Sequence, residues 1–295
     1  MNIGDATMFI SPMLLEKSDA PFNDPAYLFE PKIDGHRLIM TYKKGETRLF
    51  TRHNNECTRK YPELWNPAMS GDDVILDGEV CSIDPTTGVI DFESVMERFQ
   101  LSKQTKINAV ARTMPVHYIV FDVLRHNGRD LRRLPLIKRK SILESIIKPN
   151  PFLSVIPYTE NNGTDLYSVI CDKKMEGIVA KRKNSLYVSK RSSDWLKIVR
   201  YEAAEVFISG YRKDEFGLLV QVEENGKKRA AGIIELGVPP KHKKAFYGIA
   251  KQLVTGEDKN FVYIEPSLKA KVKFRNWTKT FYLWTYKSTV SNTRS

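Results

Sequence analysis

Cysteine, histidine and long apolar runs are what this 295-residue chain has least of. Its three cysteines, Cys57, Cys81 and Cys171, are odd in number, far apart and form no C-x-x-C pair. That excludes a disulfide framework or a structural zinc site and fits a reducing cytoplasm. The five histidines, His36, His53, His117, His126 and His242, show no metal-ligand spacing. No run of about eighteen apolar residues occurs, and Met1-Asn2-Ile3-Gly4-Asp5 opens with neither a basic n-region nor an apolar h-region. Neither an export signal nor a membrane span is expected. Repeats and low-complexity tracts are also missing.

What remains is a basic globular composition. Lysine and arginine number 47 against 35 aspartates and glutamates, a formal net charge of +12, and 41% of residues are hydrophobic, too many for a disordered chain. The surplus is uneven: residues 1–200 hold 30 basic and 25 acidic groups, and the last 95 hold 17 and 10. A basic C-terminal part is the electrostatic footprint of a phosphate-backbone binder.

The first two hundred residues mix short apolar runs with helical patterns and lack strict βαβ alternation. Strands are expected at Tyr27–Ile33, Arg37–Tyr42, Thr47–Thr51, Val74–Val80, His117–Val123 and Gly177–Lys181. Helices are expected around Phe92 to Phe99, after Pro135, and after the capping candidates Asn162 and Thr164. Beyond residue 200 come short strands, Glu205–Gly210 and Leu218–Glu223, divided by Asp214 to Gly217 and Asn225-Gly226, and one helix over Pro240–Val254. The fold class expected is α+β: an antiparallel-sheet domain over residues 1–199, then a small OB-type β-barrel over 200–295. In Lys269-Ala270-Lys271-Val272-Lys273-Phe274-Arg275 the strict alternation puts the cations on one face of a strand. Lys271, Lys273 and Arg275 are therefore candidate DNA contacts, with a protected edge strand as the bland reading.

The chemistry concentrates in Phe29-Glu30-Pro31-Lys32-Ile33-Asp34-Gly35-His36-Arg37. If Tyr27–Ile33 is a strand, Glu30, Lys32 and Asp34 share a face, and Gly35 permits a sharp turn. Alone, K-x-D-G is weak, because a solvated turn looks the same. Its company strengthens it: Leu76-Asp77-Gly78-Glu79, Tyr118-Ile119-Val120-Phe121-Asp122, Glu176-Gly177-Ile178-Val179-Ala180-Lys181 and Trp195-Leu196-Lys197. Carboxylates supply Mg²⁺ ligands, lysines neutralise phosphate oxygens, and an aromatic stacks on a base.

In this order the segments resemble the motifs of the covalent nucleotidyltransferases, most closely the ATP-dependent DNA ligases, along nearly the whole chain. The stretch from Phe121-Asp122 through Arg139-Lys140, and the run from Glu176 through Lys197, are similar to small phage and bacterial ligases and to the ligase module of bacterial end-joining enzymes. The resemblance implies that Lys32 is the nucleophile that forms lysyl-AMP from ATP, with Asp34 positioning the groups around it. Glu30 would read the adenine edge, Phe121 stack on the ring, and Glu79 hold the ribose. Arg37 and Arg52 would contact AMP and the 5′-phosphate of a nick, while Lys181 and Lys197 neutralise the α-phosphate. Glu79 and Glu176 would serve a Mg²⁺ or Mn²⁺ ion. The implied partner is nicked duplex DNA, joined by a monomer in a bacterial or phage-infected cell, with repair proteins at DNA ends as further partners.

Two positions depart from the family pattern. Val199, followed by Arg200, stands where a second lysine is usual after Lys197, and the family's C-terminal motif is not recognisable in Phe281 to Ser295. An RNA ligase, a capping-type nucleotidyltransferase and a catalytically inactive DNA-end-binding protein remain as alternatives at this level.

Overall fold

Short runs of alternating apolar residues become strands of three sheets in the computed structural model, which describes residues 9–275 apart from Pro85. The chain divides into two compact units at Val199/Arg200.

In the first unit one five-stranded sheet runs in the order Leu14–Lys17, Arg191–Val199, Gly177–Arg182, Tyr27–Pro31, Thr159–Glu160. The other is built on the order Glu46–Thr51, His36–Lys43, Val74–Ser82, Val116–His126, Arg129–Asp130. Most pairings are antiparallel, as expected. Two short ones are parallel: Leu14–Lys17 with Arg191–Val199, and Leu153–Val155 with Val116–His126. Val74–Ser82 is buried along almost its whole length because it is paired on both edges, to His36–Lys43 and to Val116–His126.

The strand expected over Tyr27–Ile33 stops at Pro31. Proline has no N–H to donate to the ladder, and only the Lys32 N–H, which donates to Gly177 O at 2.8 Å, prolongs the pairing. Asp34 therefore sits in the turn beyond and does not share a strand face with Glu30, a correction to the alternation argument. The helix Gln104–Thr113 has only one buried residue, Ile107, so periodicity did not mark it.

Helix Leu136–Ile146 buries Leu136, Arg139, Lys140, Leu143 and Ile146 on one stripe. Two of those five carry charge, which requires partners. Arg139 donates from Nε and Nη2 to the two Asp122 oxygens at 2.8 and 2.9 Å, and from Nη1 to the carbonyls of Leu134 and Ser185. Both side chains of that pair are fully buried.

The second unit is a five-stranded antiparallel sheet in the order Lys227–Ile234, Leu218–Glu224, Glu202–Arg212, Phe261–Phe274, Val254–Glu257. Its helix ends at Ala250, short of the expected Val254, which begins a strand instead. Along Phe261–Phe274, Lys269, Lys271 and Lys273 are exposed while Ala270, Val272 and Phe274 are buried. Arg275 follows the last strand residue and is half-buried. Asn276 to Lys279, Tyr282, Trp284, Tyr286 and the segment Phe281 to Ser295 lie outside the described residues. Among the described residues no helix is long and apolar enough to cross a membrane.

Asp122→Ala leaves the Arg139 guanidinium buried without its counter-charge. It is expected to destabilise the first unit by about 3–5 kcal/mol, read as a lower denaturant midpoint.

Candidate active site

The site is assembled by one strand pairing and two glycines. Tyr27–Pro31 lies antiparallel to Gly177–Arg182, with Glu30 opposite Val179 and Leu28 opposite Lys181. Gly177 has φ +149, and a Cβ there would lie 2.1 Å from Ile198 O. Only glycine lets the chain pass that close. A Cβ on Gly35 would likewise lie 2.3 Å from Val80 O, so the turn carrying Asp34 rests directly on the strand that bears Glu79.

These constraints bring Glu30, Lys32, Arg37, Glu79, Phe121 and Lys181 around one pocket, together with Val179 and Trp195. It spans about 430 Å³ of space, part of it open to solvent. Lys32 is 21% exposed, and its Nζ lies 2.5 Å from Oε2 of the buried Glu176. Glu79 is half-buried beside it; desolvation pushes its carboxyl up to about 7, with Lys32 and Arg37 pulling it down and Asp77 and Asp34 adding to the rise.

Arg37 is held by Asp77, to which its Nε and Nη2 donate at 2.9 and 2.6 Å. The Tyr187 hydroxyl donates to the same carboxylate at 2.6 Å. Burial would lower the Arg37 pKa, but the Asp77 carboxylate overrides it and keeps the guanidinium charged. Its carbon lies 5.2 Å from the centroid of the Phe121 ring.

Lys181, expected to neutralise a phosphate, lies in the pocket wall. Its ammonium is buried between the rings of Phe121 and Trp195, 4.3 and 4.1 Å from their centroids, and 2.7 Å from Glu30 Oε2. Burial pushes its pKa down to about 8, against the pull of Glu30. Lys197 is opposite Val179 on the neighbouring strand, and its pKa is lowered by burial and then by the cations Lys32, Arg191 and Arg52. Arg52 is exposed in the turn after Glu46–Thr51, its Nε donating to His53 Nε2 at 2.9 Å. Val199 ends its strand, and Arg200, the first residue of the second unit, pairs with Glu202 at 2.7 Å. Lys271, Lys273 and Arg275 belong to the second unit.

Three contributors stood in the quoted segments without a role of their own. Tyr187 and Asp77 anchor Arg37, and Lys140, fully buried, ion-pairs with Glu30 Oε1. A charged residue on the buried stripe of a helix was the signal available for Lys140.

A pocket lined by lysine, arginine and glutamate side chains beside an aromatic wall, in a mostly antiparallel α/β scaffold, suits a nucleotide. Residues 12–198 match the family model described as the ATP dependent DNA ligase domain. The chain is 40% identical over 273 residues to the SPbeta prophage-derived DNA ligase-like protein LigB of Bacillus subtilis, covering 92% of this chain and 95% of that one. It is 29% identical over 266 residues to the bifunctional non-homologous end joining protein LigD of the same species, but spans only 43% of that longer protein. Among solved structures, mycobacterial DNA ligase D complexed with ATP and MES superposes with a TM-score of 0.58 at 24% identity, covering 96% and 95% of the two chains. A Lig E DNA ligase gives 0.64 at 17% identity, covering 95% and 100%. The chain belongs to the ATP-dependent DNA ligase family. It is accordingly an ATP-using enzyme that joins DNA strands.

The raised carboxyl of Glu79 has a cost to the fold: ionising it in place is unfavourable, so its contribution is neutral below about pH 4 and grows more destabilising as pH rises through about 7. Glu79→Gln is therefore expected to stabilise the protein by about 1–2 kcal/mol at pH 8 and by nothing at pH 4, read from thermal unfolding at the two pH values.

Proposed function

We propose that Lys32 is the nucleophile of nick sealing, supported above all by its place in one pocket with Glu30, Glu79 and Phe121, against Glu176. Its neutral Nζ attacks the α-phosphorus of ATP; a P–N bond forms, the bond to the β-phosphate oxygen breaks, and the electron pair leaves with pyrophosphate. The AMP then passes to the 5′-phosphate of a nick in duplex DNA, and the neighbouring 3′-hydroxyl displaces it to close the strand.

A free lysine is neutral in only about one molecule in 2,500 at pH 7, so the surroundings must favour the neutral amine. Lys197 acts in that direction, since the two ammonium groups repel each other. Glu176 and Glu79 oppose it until their charge is met elsewhere. These two carboxylates flank Lys32, and among the described residues no cluster of three or more His, Cys, Asp or Glu side chains occurs. That donor set suits Mg²⁺, which commonly takes one or two carboxylates and completes its shell with water and phosphate oxygens. Glu79 and Glu176 would hold it, and its chemistry there is neutralisation of phosphate charge.

Phe121 offers its ring to the base, Glu30 its carboxylate to the base edge, and Arg37 a guanidinium held toward the sugar and phosphates. Asp34 positions the nucleophile turn. The second unit is read as an OB-type barrel whose exposed Lys271 and Lys273, with Arg275, contact the DNA backbone. The enzyme is proposed to act as a cytoplasmic monomer on nicked duplex DNA, with repair proteins at DNA ends as further partners.

Incubated with ATP and Mg²⁺, the protein is expected to gain the mass of one AMP by intact-mass spectrometry. A Lys32→Ala protein that still gained it would sink the assignment. Affinity for nicked duplex is expected to fall steeply with salt, and neutralising Lys271, Lys273 and Arg275 to reduce the slope of log affinity against log salt by about 2–3. An unchanged slope places the DNA elsewhere.

A further inference from the structure

Lys140 has no exposed surface, lies on helix Leu136–Ile146, and does not line the pocket. Its ammonium nevertheless pairs with Oε1 of Glu30, which does line it. Lys181 takes the other oxygen, Oε2, at 2.7 Å from inside the pocket. Burial alone would raise the Glu30 carboxyl; the two lysines outweigh burial and hold it below the usual carboxylate range.

The two lysines are not equivalent. Lys181 is part of the pocket wall, between the rings of Phe121 and Trp195. Lys140 approaches from behind, with the Tyr158 ring 5.4 Å from its ammonium. Burying an ammonium is costly, and an apolar residue of similar volume often serves packing as well or better. Glu30 already has a counter-ion in Lys181, so packing and simple neutralisation leave a second buried lysine unexplained. What Lys140 adds is geometric: with Oε1 anchored on one side and Oε2 on the other, the carboxylate can neither rotate nor take up a proton without losing a pair.

We propose that Lys140 is a specificity-positioning residue, which holds the Glu30 carboxylate as a fixed, acceptor-only group at the base-binding end of the pocket. An ionised carboxylate accepts hydrogen bonds and donates none, whereas a protonated one can donate. Held in this state, Glu30 accepts from a purine with an exocyclic amine at C6 and repels one with a carbonyl there. This rests on the reading of Glu30 as the group that faces the base edge.

The test compares kcat/KM for self-adenylylation with ATP and for the corresponding transfer from ITP, which carries a carbonyl in place of the amine. Lys140→Met is expected to reduce the ATP-to-ITP ratio at least tenfold, chiefly through a higher KM for ATP, and Lys140→Arg to restore most of it. A folded Lys140→Met protein whose ratio is unchanged, even with both rates lowered, overturns the proposal, since a packing role moves both substrates together. If Lys140→Met does not fold, Lys140→Gln, uncharged and able to hydrogen-bond, makes the same comparison. Glu30→Gln separates this proposal from its premise. Loss of the ratio in Glu30→Gln but not at position 140 rejects only the role of Lys140. An unchanged ratio in Glu30→Gln rejects Glu30 as the base reader and the proposal with it.

Discussion

The antiparallel pairing of Tyr27–Pro31 with Gly177–Arg182 is the contact on which the site depends. It joins segments nearly 150 residues apart and sets Glu30 beside Val179, with Lys32 at the very end of the ladder and its ammonium against Glu176 across a separation of 144 residues. On the other edge of the same strand, Gly177 lets Ile198 O of the next strand come within 2.1 Å of where a Cβ would be. A side chain there would push Arg191–Val199 outward, and Lys197 and Trp195 travel on that strand. One glycine thereby controls the distance between the lysine, its carboxylate neighbour and the wall of the pocket.

Around that contact the first unit buries charge to an unusual degree for a scaffold of its size. Arg139 with Asp122, Arg98 with Glu63, Arg37 with Asp77, and Glu30 with Lys140 and Lys181 are all nearly or wholly inaccessible to water. Such pairs seldom add net stability, because desolvation consumes most of the Coulomb attraction. Their use is directional. Each bidentate or doubly anchored group admits one orientation, so the residues that touch the pocket are held by partners that do not. Asp77, for example, receives both Arg37 and the Tyr187 hydroxyl, and Tyr187 in turn accepts the Met13 N–H at 3.0 Å.

Much of this was legible in the sequence, for identifiable reasons. Strand positions such as Val74–Val80 and Leu218–Glu223 were readable because apolar runs ended at turn residues. The alternation in Lys269 to Phe274 was readable because a half-exposed strand writes its two faces in turn. The pocket residues Glu30, Lys32, Glu79 and Phe121 stood in motifs and were found together. What could not be read were features made by distant pairings. The short strands Thr159–Glu160 and Arg129–Asp130 have no pattern of their own, and Leu14–Lys17 acquires its partner from the other end of the unit. Alternation also failed at Pro31, where the ladder ends and the turn through Asp34 begins. Lys140 was hidden for the opposite reason: the helix stripe Leu136, Arg139, Lys140, Leu143, Ile146 breaks the apolar pattern with charge, and only the fold reveals that Asp122 and Glu30 wait opposite.

The pocket therefore holds two lysines in contrasting electrostatic settings, and the contrast bears on how they act. Lys181 is buried against Glu30 and two aromatic faces, and its depressed pKa of about 8 reflects burial only partly offset by Glu30 and Asp122. Lys32 is the more exposed of the two and lies against Glu176, with Glu79 near enough to feel its charge. A lysine held by carboxylates is stabilised as ammonium, the unreactive form. On the reading of Lys32 as nucleophile, the resting arrangement thus opposes reaction, and the amine is released only when Glu176 and Glu79 are satisfied by positive charge other than its own. Burial of Lys181, by contrast, lowers its pKa without freeing it, because its ammonium is enclosed by Glu30 and two rings. On that reading desolvation alone is a poor guide to which lysine reacts; what distinguishes Lys32 is its greater exposure and a carboxylate partner that can be drawn away.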